Sequence, residues 1–189
     1  MNINAVRRHL KAAYITLILA SGLSLTGQVA AESLKPIRII LVGDSTMAHK
    51  SGYGDAFCAQ FRPELTCINN GRGGRSSKSY RVDGIWDKDV VSALASPKAA
   101  DGQDFTKTYV LIQFGHNDGS PKPERHTDVL WEFPVNLQNY VQEVQQAGAV
   151  PVLITPLTMR DFVDNKLLPD RVGPFAESTR NVAWTNHIL

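Results

Sequence analysis

Charge of one sign, cysteine and long apolar runs are all in short supply here. The 20 basic residues barely exceed the 18 acidic ones, and even that excess disappears when the first segment is set aside. Met1 to Lys11 carries Arg7, Arg8 and Lys11 with no acid, Ala12 to Gly27 is apolar and small, and Val29, Ala30 and Ala31 precede Glu32. That order of charge, apolar centre and small residues describes a secretory signal peptide over 1–31, with cleavage expected near Ala31. Ser21, Gly22, Ser24, Thr26 and Gly27 dilute the apolar stretch too far for a stable membrane span. Without the segment, 17 basic residues face 18 acidic ones, so neither a nucleic acid nor a membrane surface is implied as a partner. The domain at 32–189 is expected to be secreted or periplasmic.

Only two cysteines, Cys58 and Cys67, occur. Two alone make a poor metal site, and no metal is expected. In an oxidising compartment a nearby pair favours a disulfide, here tying the end of the first helix to the start of the second strand. Two buried free thiols are the alternative. No internal repeat or low-complexity tract is present, which excludes a solenoid.

Apolar sequence is plentiful, at 43% of residues, enough for one globular core. It falls into short runs. Ile37 to Val42, Thr66 to Asn69, Tyr109 to Phe114 and Val150 to Ile154 have the length and β-branched content of strands. Between them, Gly54 to Arg62 is expected to be helical, with Phe57 and Phe61 on one face and Pro63 stopping it. Helices are also expected over Val82 to Leu94 and Phe133 to Gln146, the last ended by Gly148. Arg160 to Gly173 is a long polar segment, and Phe175 to Asn186 can open a further helix. Strands alternating with helices predict an α/β fold with a parallel sheet, its last visible strand left at an edge.

The chain is organised around Val42-Gly43-Asp44-Ser45-Thr46, directly after the first strand. Gly43 permits a sharp turn, Asp44 can hold it, and Ser45 is left as a hydroxyl at the carboxyl edge of the sheet, where open α/β sheets bind ligands. Ser45 is therefore a candidate nucleophile, the alternative being that Asp44, Ser45 and Thr46 only cap a helix. The loops after strands two and three, around Gly73-Gly74 and at Gly115-His116-Asn117-Asp118, should border the same crevice. Acyl transfer needs a nucleophile and donors aimed at the oxygen that becomes negative. The Ser45 N–H, the Gly74 N–H and the Asn117 side-chain amide can be those donors.

Gly43-Asp44-Ser45-Thr46, Gly74-Arg75-Ser76 with Ser79-Tyr80, and Gly115-His116-Asn117-Asp118 resemble the first three sequence blocks of the GDSL/SGNH hydrolase superfamily, and closely its rhamnogalacturonan acetylesterase branch. The resemblance runs from about Ile37 to Ile154. It implies a flavodoxin-like three-layer α/β/α sandwich and removal of acetyl groups from pectic polysaccharide. Ser45 would be the nucleophile and Ser45, Gly74 and Asn117 the oxyanion-hole donors, with no cofactor. The family's late Asp-x-x-His block, which carries the general base, occurs nowhere in this sequence. The sequence therefore resembles a domain lacking its final strand, catalytic block and last helix, with impaired activity expected. Each of the five histidines is expected to be an ordinary surface or packing residue rather than a substitute base.

Arg72, Arg75, Lys78 and Arg81 crowd the middle loop. Arg72, Arg75 and Lys78 are candidates for pairing with carboxylates of an acidic polysaccharide, the alternative being a solvated basic loop with Arg75 bonded inside the fold. Trp86 is expected in the core. Two other readings stay open: a non-catalytic carbohydrate-binding remnant, and a lipase or thioesterase of the same class.

Overall fold

Ile37 to Gly43 is the central strand, β1 (Ile37–Gly43), of a four-stranded sheet in a computed structural model that describes residues 36–189. The signal peptide expected at 1–31 lies outside the described residues. The other strands are β2 (Leu65–Asn69), β3 (Lys107–Gln113) and β4 (Val150–Leu153). All pair in parallel, in the order β2-β1-β3-β4. Among the described residues β4 pairs on one side only, as expected for a strand at an edge.

Side-chain alternation divides the core. Ile40, Val42, Val110, Ile112 and Leu153 point to one face, where they meet Tyr80, Trp86, Leu137, Tyr140, Val144 and Phe175. Those partners come from α2 (Ser79–Val82), a widened π turn at Trp86–Val91, α4 (Glu132–Gln146) and α5 (Gly173–Thr185). The π turn runs straight into α3 (Ser92–Ala95). Ile39, Leu41, Tyr109 and Leu111 point the other way, toward Tyr53, Phe57 and Phe61 around α1 (Gly54–Cys58). Helices thus lie on both faces of a parallel sheet, the three-layer arrangement that the alternating runs predict.

Three elements differ from expectation. α1 ends at Cys58 rather than Arg62, because Cys58 is bonded to Cys67 of β2 and Pro63 disfavours helix before it. Val82 to Leu94 is not one helix, since Gly84 takes φ +72 and breaks the run after α2. The polar stretch after Pro156 contains a small hairpin, β5 (Phe162–Val163) and β6 (Lys166–Leu167), turned by Asp164 and Asn165, both at positive φ.

The Cys58–Cys67 bridge closes a loop of sequence separation 9. Loop-closure entropy for so short a loop gives about 2.5 kcal/mol. Replacing both cysteines with serine is expected to lower the thermal midpoint by about 5–10 °C, and adding reductant to the wild type should produce the same shift in a thermal melt.

Candidate active site

The turn after β1 is held by Asp44. Its Oδ1 accepts from the Thr46 N–H at 2.8 Å and from Thr46 Oγ1 at 2.9 Å, while its carbonyl accepts from Met47 and Ala48. Capping therefore falls to the Asp44 carboxylate. Ser45 is exposed, and neither its hydroxyl nor its N–H has a hydrogen-bond partner among the described residues.

Gln113, fully buried at the end of β3, fixes this turn from below. Its Oε1 lies 2.9 Å from Thr46 Oγ1, whose single proton it shares with Asp44, and accepts from the Tyr53 hydroxyl at 3.2 Å, while its amide donates to the Thr155 carbonyl at 2.9 Å. Burial and the nearby Asp44 charge push the Tyr53 phenol up to about 12, so it stays a donor.

Three strand-end loops are bonded to one another. The second loop returns to β1 through Asn70 N–H to the Leu41 carbonyl and Arg72 N–H to the Gly43 carbonyl, each at 2.9 Å. Asn117 joins loop three to loop two, its Nδ2 donating to the Arg75 carbonyl at 3.0 Å. One amide hydrogen satisfies that bond, which leaves the second for a ligand. Gly74 takes φ +73, and its N–H has no partner among the described residues. Gly115 takes φ +140, and a side chain there would collide with Pro156 and Phe175.

Asp118 clamps loops two and three from within. Its Oδ1 accepts from Ser77 N–H at 3.0 Å, Ser77 Oγ at 2.5 Å and Thr127 Oγ1 at 3.1 Å. Below it, the Tyr140 hydroxyl donates to the Ser77 carbonyl at 2.8 Å. The second carboxylate oxygen of Asp118 is buried without a partner, and burial pushes the acid up to about 6.

His116 faces the buried Asp44 carboxylate, Nδ1 to Oδ2 at 3.4 Å. That carboxylate raises the imidazole pKa against the opposing effect of partial burial. His49 pairs with Asp55 at 2.8 Å and His126 with the Ser120 carbonyl at 3.0 Å. His187 lies exposed just after α5.

The basic loop is redirected by the structure. Arg72 is paired with Asp89 at 2.7 Å and Arg75 with Asp83 at 2.5 Å. Lys78 reaches the Pro123 and His126 carbonyls. Arg81 lies over the Tyr140 ring and bonds Glu143. Acids pair with the three arginines while Lys78 reaches only carbonyls, so most of the loop's charge is already partnered. A cavity of about 590 Å³ lies between α4 and α5 against Leu130, Val135, Pro174 and Val182, and none of Ser45, Gly74 and Asn117 lines it. Trp131 is exposed and Trp86 is buried.

Known proteins resemble the chain in sequence or in fold. The chain is 28% identical over 156 residues to the rhamnogalacturonan acetylesterase RhgT of Bacillus subtilis, covering 79% of this chain and 61% of that protein. It is 30% identical over 139 residues to the probable rhamnogalacturonan acetylesterase YesY of the same organism, covering 70% and 59%. These similarities support the resemblance to the GDSL/SGNH hydrolase superfamily. The chain spans about three fifths of the length of these curated relatives. The acetylxylan esterase Axe2 of Geobacillus stearothermophilus shares the fold, with a TM-score of 0.57 at 18% identity over 80% of this chain and 74% of that one. No family model matches. Gln113 and the clamp role of Asp118 escaped sequence reasoning: a glutamine ending an apolar strand and an aspartate in a turn are ordinary until their partners are known.

Proposed function

We propose that this protein is an exported serine esterase that removes acetyl groups from pectic polysaccharide. The observation that carries this reading is the linkage of three strand-end loops, on which the Ser45 hydroxyl and N–H, the Gly74 N–H and one Asn117 amide hydrogen have no partners among the described residues. An exposed hydroxyl and uncommitted donors on linked loops are the minimum that acyl transfer requires. Relatives named as rhamnogalacturonan acetylesterases support the substrate class. An open rim with polar loops suits an acetyl ester hanging from a polymer better than a long acyl chain.

No Asp-x-x-His occurs in the sequence, His49 and His126 are bonded elsewhere, and His116 Nδ1 faces the Asp44 carboxylate. We therefore infer a slow reaction for this chain, since a hydroxyl with no base stays protonated near neutral pH. The same observation favours a second reading, a carbohydrate-binding protein that keeps the crevice without the chemistry. Dissolved imidazole separates the two. With a small acetate ester, the wild-type rate is expected to rise several-fold more with imidazole than that of Ser45→Ala, whose response measures the solution reaction alone. Identical imidazole dependence in the two proteins would leave only the binding reading.

A further inference from the structure

Resting on that reading, we propose that Arg125 is the group that reads substrate charge. Its guanidinium binds the carboxylate of a uronate unit next to the acetylated sugar. Among the described residues, Arg72, Arg75 and Arg81 each have a carboxylate partner of their own, while the Arg125 side chain has neither an ion pair nor a hydrogen bond. It is half-buried and lies against Gly74: a Cβ built there would stand 3.3 Å from its Cζ, Nη1 and Nη2 alike. Equal approach by all three atoms means that the flat face of the guanidinium covers Gly74. Its N–H donors lie in that plane and point sideways, which leaves them free for a planar carboxylate.

The loop that delivers Arg125 is anchored. Thr127 bonds Asp118 through both N–H and hydroxyl, His126 N–H bonds the Lys122 carbonyl at 2.9 Å, and Lys78 holds the Pro123 and His126 carbonyls. These contacts fold the segment from Gly119 to His126 back over the second loop. Arg125 is thereby placed beside the N–H proposed to receive the ester oxygen. A glycine at position 74 thus does two things: it permits φ +73, and it leaves room for the guanidinium.

Calorimetric titration of the full chain with a short oligogalacturonide, and with its methyl-esterified form, tests this. Wild type is expected to bind the acidic ligand about tenfold more tightly than the esterified one. Arg125→Gln should erase the difference, and Arg125→Lys should retain part of it because the charge stays while the fork is lost. Arg160→Gln, which removes an exposed charge elsewhere, should bind as wild type does. Unchanged affinity in Arg125→Gln, equal affinity of wild type for the two ligands, or no binding of the acidic ligand would each overturn the assignment. Should the imidazole-dependent part of ester hydrolysis prove independent of Ser45 while the Arg125→Gln loss persists, the esterase reading falls and Arg125 stands as a uronate receptor. Ser45-dependent hydrolysis with no effect of Arg125 on binding would do the reverse, keeping the esterase and removing Arg125 from substrate recognition.

Discussion

Asn117→Ala is expected to slow acetate-ester hydrolysis by this chain about a hundredfold, whereas Ser45→Ala in the absence of imidazole should slow it less than about tenfold. That order inverts the one usual for serine hydrolases, and the inversion follows from the residues available. In a triad the hydroxyl and the base act as a unit, so removing the second member costs little once the first is absent. What persists is the stabilisation given by donors already aimed at the carbonyl oxygen, roughly a thousandfold to ten-thousandfold over water. Asn117 supplies one of those donors from a side chain oriented by the Arg75 carbonyl, so its loss removes part of the remaining catalysis directly. Steady-state rates of the two variants, with thermal melts to confirm folding, check this. A Ser45→Ala effect larger than that of Asn117→Ala would show that a base does reach the serine.

Much of the fold was legible because fully buried parallel strands are uniform aliphatic runs. Ile37 to Val42 and Tyr109 to Phe114 have no other comfortable state. The helices were less so. Gly84 breaks the stretch after Val82 through a left-handed backbone whose need depends on where Tyr80 and Trp86 must both be buried. The hairpin at Phe162 to Leu167 did carry a local signal, Asp164-Asn165 between apolar residues, but a polar neighbourhood masked it. At the site, Ser45, Gly74 and Asn117 stand on loops whose meeting follows from strand order, which is why the sequence could propose them together. Arg125 could not, because its position depends on Thr127 bonding Asp118 across nine residues of charged loop. The pairing of Arg72 with Asp89 and Arg75 with Asp83 is of the same kind, since a charge run shows cations and not their partners.

The largest stability effect is expected at Asp118, and it should depend on pH. Its folded pKa of about 6 lies above the ordinary carboxylate value, so the fold prefers the protonated acid. A carboxyl raised in this way contributes stability that is fully present below the unfolded pKa and is lost as pH rises through about 6. The size is on the order of 3 kcal/mol between the two limits. Asp118→Asn keeps an oxygen to accept from Ser77 and Thr127 but cannot titrate. Wild type should therefore gain on Asp118→Asn by about 2 kcal/mol as pH falls from above 6 to 4, and by about 3 kcal/mol once pH is well below 4. His116, whose raised pKa also favours the fold on the acid side, is present in both proteins and drops out of the comparison. So does Asp55, whose lowered pKa acts in the opposite sense, its contribution fading as pH falls. Asp118→Ala strands the buried Ser77 N–H and two hydroxyls that now share one oxygen, and should cost about 3 kcal/mol even at low pH. Denaturant unfolding of the three proteins across this pH range gives these numbers. Parallel curves for wild type and Asp118→Asn would mean that the clamp carries its charge at no cost. The neutral acid would then not be what holds the second and third loops together.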